Sequence, residues 1–321
     1  MSNDTPAIVR DLPASTLIHK VNTAIAQANH VILGKEAQIR LSLVCLLTGG
    51  HLLIEDIPGV GKTTLAQTLA RLLGLSYQRI QFTSDLLPAD IIGASIYEQQ
   101  SSAFRFHPGP IFTQLMLADE VNRATPKTQS ALLEAMEEQQ VTVDGETRSL
   151  PRPFFVIATQ NPMHQIGTFP LPESQLDRFL MRIQLGYPGE HAERELLKGE
   201  DRRMLLDGIQ PALSAHELIA LRKAADGVRI SDALLDYLQA VVRHTRESPR
   251  YETGLSPRAA LALKHAAQAW ALLAGHTGVL PEDLQAILPG VIGHRLRLKT
   301  SHESVPAAIL AQELIEAVPI P

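Results

Sequence analysis

Apolar residues first recur at helical spacing from Leu17, through Ile18, Val21 and Ile25, after a polar, proline-containing arm over residues 1–14. An apolar turn, Val31-Ile32-Leu33-Gly34, precedes a second helical segment that holds the run Leu41–Leu47. Leu52-Leu53-Ile54 is different: a short, unbroken apolar run, the pattern of a strand buried on both faces. From Thr63 the spacing returns to helical through Leu65, Leu69, Leu72 and Leu73, and Gly74 can end that helix. Tyr77–Phe82 suits a strand, and Pro88 and Gly93 interrupt the chain beyond it. Ser95–Gln99 and Ala103–His107 flank Gln100-Ser101-Ser102 as a hairpin, with Phe104 and Phe106 on one face. Leu115–Ala118 and Phe154–Ala158 are further buried strands. Between them Thr125-Pro126 opens a helix. Val141–Val143 and Glu146–Arg148 enclose Asp144-Gly145, which suits a type I′ hairpin turn.

After Tyr187-Pro188-Gly189 the character changes. Ser214 and Glu217 form a capping box. Ser231 or Asp232 caps the next helix, whose apolar face carries Leu234, Leu235, Leu238, Val241 and Val242. Ser256-Pro257-Arg258 opens the longest helix, running to about Gly275, and Pro281-Glu282-Asp283 opens the last clear one. The pattern predicts an α/β domain over 1–188 and an all-α domain over 189–321, with no internal repeat.

A chain of 321 residues with 45% hydrophobic and 20% charged residues can build two such cores. Its net charge of -5 gives no overall basic signal, so nucleic acid is not the expected partner. The single cysteine, Cys45, lies in an apolar run and rules out a disulfide framework or a Cys-rich metal site. MSNDTPAIVR lacks the apolar core of a secretion signal, and Leu41–Leu47 is too short for a membrane span. The expected location is the cytoplasm.

The chemistry starts in the loop Asp56–Gly61. A strand, a glycine-bearing loop, Lys-Thr and a helix make a phosphate-binding arrangement. Gly59 and Gly61 let backbone N–H groups approach an anion, and the helix N-terminus adds its positive end. Lys62 can reach β- and γ-phosphates, and the Thr63 hydroxyl can join a Mg²⁺ shell. The usual first glycine of this motif is Asp56 here. Asp119 and Glu120 follow a buried strand directly, where one carboxylate can meet the metal and the next can polarise a water. Asn161 at another strand tip can bond a γ-phosphate or that water, although such an Asn-Pro also makes an ordinary turn. Arg178 reads as a surface ion pair or as a cation supplied to a neighbouring subunit's phosphate. Arg258 lies in the first turn of its helix, where a cation is mildly unfavourable, and reads either as an anion contact or as an Arg paired with a nearby Glu. The Val31–Gly34 turn either packs on an adenine ring or is ordinary core.

In order and spacing, EDIPGVGKT, DLLPADIIG, FHPGPIF, LMLADEVNRATPKTQSALLEAMEE, FFVIATQNP, FPLPESQLDRF, GLSPRA and HRLRL resemble the MoxR family of AAA+ ATPases, from Val31 to Leu298. The resemblance implies a parallel five-stranded AAA+ sheet flanked by helices, an all-α lid, and ring oligomers, commonly hexamers, binding ATP and Mg²⁺ between subunits. It implies a Walker A segment of Gly59, Val60, Gly61, Lys62, Thr63 and Thr64, and a Walker B pair of Asp119 and Glu120. Asn161 is then sensor 1, Arg178 the arginine finger (with Arg182 and Arg123 as rivals) and Arg258 sensor 2. The hairpins near 95–106 and 141–148 resemble the family's inserts in helix 2 and before sensor 1. Family members resemble chaperones that assemble or activate partner proteins, often ones with von Willebrand factor A domains or metal cofactors.

Three other readings compete. A small-molecule kinase uses the same loop but needs an acceptor site, and the Asp-Glu pair and the lid argue against it. A nucleic-acid motor conflicts with the net charge of -5. A non-hydrolysing switch has no need of Glu120 and Asn161.

Overall fold

The structure is a computed structural model that describes residues 13–161, 167–199, 202–299 and 305–320. Most of the predicted arm, and Pro162 after Asn161, lie outside the described residues. Five strands form one sheet: β1 (Leu52–Glu55), β2 (Tyr77–Gln81), β3 (Leu115–Asp119), β4 (Phe155–Gln160) and β5 (Met181–Ile183). Their spatial order is β2-β3-β4-β1-β5, and every pair is parallel.

The unbroken apolar runs follow from what covers the sheet. On one face Leu52, Ile54, Leu115, Leu117, Phe155 and Ile157 pack against the helices Ala14–Val31, Glu36–Leu47 and Lys62–Leu72 and against the helical C-terminal part. On the other face Leu53, Met116, Ala118, Val156 and Ala158 meet Leu132, Leu133 and Met136 of the helix Pro126–Glu138. A strand covered twice has no solvent face on which to place polar residues.

Both predicted hairpins form, as Gly93–Glu98 with Ala103–Pro108 and as Gln140–Val143 with Glu146–Ser149. Asp144 (φ 54°) and Gly145 (φ 81°) give the second its type I′ turn. The Arg148 guanidinium lies 4.2 Å over the Phe106 ring and joins the two hairpins. Tyr97 and Phe104 form an exposed aromatic pair on the first, with ring centroids 5.4 Å apart.

Beyond Ile183 the described residues contain helices and single bridges but no further strand. Ser214, Ser231 and Ser256 cap their helices through side-chain oxygens. Two longer helices are added to those expected, Glu190–Lys198 and Ala307–Ala317. Neither has a side-chain N-cap. The hydrophobic core does not divide near residue 188, because Leu17, Val21 and Leu43 share one cluster with Leu218, Leu221 and Leu263.

Two buried histidines knit this assembly together. His51, just before β1, accepts from the Val156 N–H at Nδ1 and donates from Nε2 to the Met136 carbonyl, 3.1 Å away. His294 places Nε2 2.9 Å from the Phe179 carbonyl. Burial, reinforced by Arg222, pulls His51 down to about 4. Burial, with Arg295 and Arg182 nearby, holds His294 well below 6.5. Both are therefore neutral when folded, while the unfolded chain takes up their protons below about pH 6.5. Stability is expected to be flat above neutrality and to fall by about 2 kcal/mol between pH 7 and 5.5. Thermal melts at the two pH values check this, and equal midpoints would refute it.

Candidate active site

The carboxyl ends of β1, β3 and β4 meet at one edge of the sheet, where open α/β sheets gather ligands. The loop leaving β1 carries Gly59 (φ 85°) and Gly61 (φ 94°) in a backbone region that side chains rarely adopt. A Cβ built on either glycine meets no atom within 4 Å, so the loop encloses open space. Lys62 begins the helix Lys62–Leu72, with Thr63 and Thr64 beside it in the first turn. That cradle at a helix N-terminus fits a chain of phosphates.

Lys62 is buried, and its Nζ donates to Asp56 O (2.5 Å), Ile57 O (3.2 Å) and Asn161 Oδ1 (3.1 Å). Burial lowers its pKa, opposed by the charges of Asp56, Asp119 and Glu120. Asp119 ends β3, and its Oδ1 accepts from Thr159 Oγ1 at 2.5 Å. The Asp119 Oδ2 accepts from Arg79 Nη2 at 2.7 Å. Glu120 has left-handed backbone (φ 58°), strain of the kind found at functional sites. Its amide donates to Thr159 Oγ1 at 2.9 Å, so one hydroxyl registers both acidic residues. The Glu120 carboxylate accepts from Asn161 Nδ2 (3.1 Å), Gln81 Nε2 (2.9 Å) and Arg123 Nε (2.8 Å).

Asn161 thus bridges the Lys62 ammonium to the Glu120 carboxylate. Lys62, Asp119, Glu120 and Asn161 come together at this edge of the sheet. No cluster of three or more His, Cys, Asp or Glu suited to a metal occurs among the described residues. Mg²⁺ needs no such cage, since one carboxylate, a hydroxyl and phosphate oxygens suffice, and Asp119 and Thr63 fit that donor set.

Asp56, in the place of the motif's first glycine, has a structural task. Its Oδ2 accepts from the Leu185 and Gly186 amides, each at 2.6 Å, and its Oδ1 from Ile57 N at 2.8 Å. The phosphate loop is thereby tied to the segment that leads into the helical part. Near it a cleft of about 430 Å³ lies between Leu33-Gly34 and Gly189–Ala192. Val31 and Ile32 are core, while Leu33 and Gly34 line the cleft.

Arg178 and Arg258 lie elsewhere. Arg178 donates from Nη1 to Leu133 O (2.8 Å) and pairs through Nη2 with Glu137 Oε2 (3.0 Å). Arg258 pairs with the other oxygen of the same Glu137 carboxylate. The helix Pro126–Glu138 starts near Glu120 and runs 13 residues, about 20 Å at 1.5 Å per residue. Beside Glu137, the Met136 carbonyl meets His51 at the opposite edge of the sheet from the phosphate loop. The two arginines therefore lie at the end of that helix remote from Glu120, away from the phosphate loop of their own chain. The rivals are both engaged at the carboxyl edge: Arg123 on Glu120, and Arg182 on Glu55 at 2.9 Å.

Gln81, Arg79 and Thr159 are site residues that the sequence reading does not contain. Arg79 and Gln81 alternate along an edge strand and so share a face, a signal visible in YQRIQ once β2 is placed beside β3.

Residues 51–181 match the family described as "ATPase family associated with various cellular activities (AAA)", and residues 243–317 match the AAA lid domain. The chain is 39% identical to chaperone MoxR1 of Mycobacterium tuberculosis, over 95% of this chain and 83% of that protein. It is 33% identical to the protein MoxR of Paracoccus denitrificans, over 93% and 95% of the two chains. It is also similar to the crystal structure of a candidate ATPase from Cytophaga hutchinsonii, with a TM-score of 0.86, 36% identity and coverage of 96% and 97%.

Proposed function

The chain belongs to the MoxR family of AAA+ ATPases, and from that premise we propose that it hydrolyses ATP at a site completed by a second copy of itself, and that turnover remodels partner proteins. The observation that carries the hydrolytic reading is Asn161, bonded at once to Lys62 and Glu120 beside an open glycine cradle. Gly59–Thr64 and Lys62 hold the phosphates. Thr63 and Asp119 would hold Mg²⁺, which supplies charge neutralisation at the phosphate oxygens. Glu120 takes a proton from water as the water oxygen bonds to the γ-phosphorus and the bond to the β-phosphate oxygen breaks, giving ADP and phosphate. Asn161 orients that water.

Arg178 and Arg258 serve the neighbouring copy's γ-phosphate. Their joint hold on the Glu137 carboxylate supports this role, because it brings both guanidinium groups onto one anionic group. A ring, commonly of six in this family, gives each site such a neighbour. The exposed Tyr97–Phe104 pair on the first hairpin is a surface for a client, and proteins with von Willebrand factor A domains are the first to test. No described helix is long and apolar enough to cross a membrane.

The test is ATP hydrolysis per subunit against protein concentration, with particle mass measured alongside. Activity should rise steeply as the oligomer forms. Equal specific activity in dilute monomer and in assembled protein would overturn the shared site, and turnover that needs an added acceptor would favour a kinase.

A further inference from the structure

The segment that carries Arg178 is gripped by the helical part of its own chain. The Arg295 side chain is only 5% exposed. Its Nε bonds Asp177 Oδ1 at 2.6 Å. Its Nη1 bonds Leu180 O at 3.0 Å and Val291 O at 2.6 Å. Its Nη2 bonds Asp177 O at 3.1 Å and Phe179 O at 2.7 Å. All five N–H donors of the guanidinium are thus used, and three of the bonds end on carbonyls on either side of Arg178. Ser256 Oγ adds a bond to Asp177 Oδ2 (3.2 Å), and His294 Nε2 one to Phe179 O (2.9 Å). The Arg178 side chain itself goes to Leu133 and Glu137. Arg258 starts the helix that Ser256 caps, so the same grip holds both arginines in register.

Stability alone does not account for burying the Arg295 guanidinium. A buried ion pair often contributes no more than well-packed apolar side chains of the same volume. What apolar packing cannot supply is direction: a planar fork bonded to the carbonyls that flank a residue fixes where that residue's side chain points.

We propose that Asp177 and Arg295 are positioning residues: through this half-buried pair the helical part sets the place of Arg178, and so controls hydrolysis at the neighbouring copy's site. This rests on the reading that Arg178 acts on a neighbour. Held by Arg295, the 177–180 segment keeps Arg178 in one place; without that hold, the neighbour loses a well-placed cation. Neither Asp177 nor Arg295 bonds any residue of the phosphate loop, so their effect is on turnover and not on nucleotide affinity.

The experiment uses Arg295→Met, close in volume, and Asp177→Asn, close in shape, in the full chain. Particle mass, thermal midpoint and affinity for a fluorescent ATP analogue are measured beside kcat and KM. A displacement of about 1 Å at a catalytic group costs about 100-fold in kcat, with affinity and mass unchanged. Equimolar mixing with Glu120→Gln protein should restore activity, because that protein brings a well-placed Arg178 to sites whose Glu120 is intact. Arg178→Ala mixed in the same way is the control. If it is restored and the two strut variants are not, or if they lose affinity together with turnover, the pair is only structural. Wild-type kcat in Asp177→Asn also overturns the proposal, and this reading stands even if Arg295→Met does not fold. If Arg178→Ala itself is not restored, the shared site fails, and the proposal falls with it.

Discussion

Glu120→Gln should lower ATP turnover by about 10²–10⁴-fold, the usual worth of a general base, while nucleotide binding persists. The carboxylate takes three donors, from Asn161, Gln81 and Arg123. An amide offers one acceptor oxygen. If that oxygen keeps Gln81 and Arg123, the new NH₂ faces Asn161 Nδ2, whose own Oδ1 is already engaged by Lys62. The substitution thus removes the base and also loosens the residue that orients the water. Lys62 and the glycine cradle remain, so the affinity for ATP should stay within a few-fold of wild type. Single-turnover hydrolysis and equilibrium binding, measured on one preparation, separate these effects. Turnover within threefold of wild type would mean that Glu120 is not the base, and a non-hydrolysing switch would come back into view.

Arg178→Ala should be at least as severe, about 10³-fold or more, the range for a cation delivered to a γ-phosphate from outside the binding chain. The loss should appear in kcat, since Arg178 touches no residue of its own phosphate loop. Arg258→Ala should cost less alone, and the double substitution less than the product of the two, because both guanidinium groups converge on one group. Mixing Arg178→Ala with Glu120→Gln in equal amounts should return about a quarter of the wild-type rate, the share of interfaces in a random ring that pair an intact Glu120 with an intact neighbouring Arg178. A fully active Arg178→Ala would instead mean that each copy is complete in itself.

The parts of this site that depend on local pattern are legible in the sequence. The cradle, the Asp119-Glu120 pair and Asn161 each follow a strand buried on both faces, and such strands announce themselves as short unbroken apolar runs. The helices opened by Ser214, Ser231 and Ser256 carry side-chain caps that the sequence displays. Glu190–Lys198 buries only Ala192 and opens at a glycine, so it gives neither an apolar stripe nor a cap to read. Gln81 and Arg79 look like the polar half of any edge strand until β3 is known to lie beside them. The location of Arg258 is not local at all. Its helix start is adjacent to Arg178 because Ser256 and Arg295 fold back onto Asp177, contacts across about 80 and 120 residues of chain respectively. No window of sequence shows which edge of the sheet such a contact selects.

Asp56 departs from the consensus and yet bonds the Leu185 and Gly186 amides, so the glycine cradle and the segment that leads into the helical part share one carboxylate. Two equilibria joined in this way obey reciprocity: if nucleotide in the loop favours one placement of that segment by some factor, holding the segment there raises nucleotide affinity by the same factor. A neighbour or client that displaced that segment would then change how tightly nucleotide is held, without touching it. A glycine at position 56 would bring the motif closer to its textual ideal and, by deleting the carboxylate, cut the tie between the cradle and that segment.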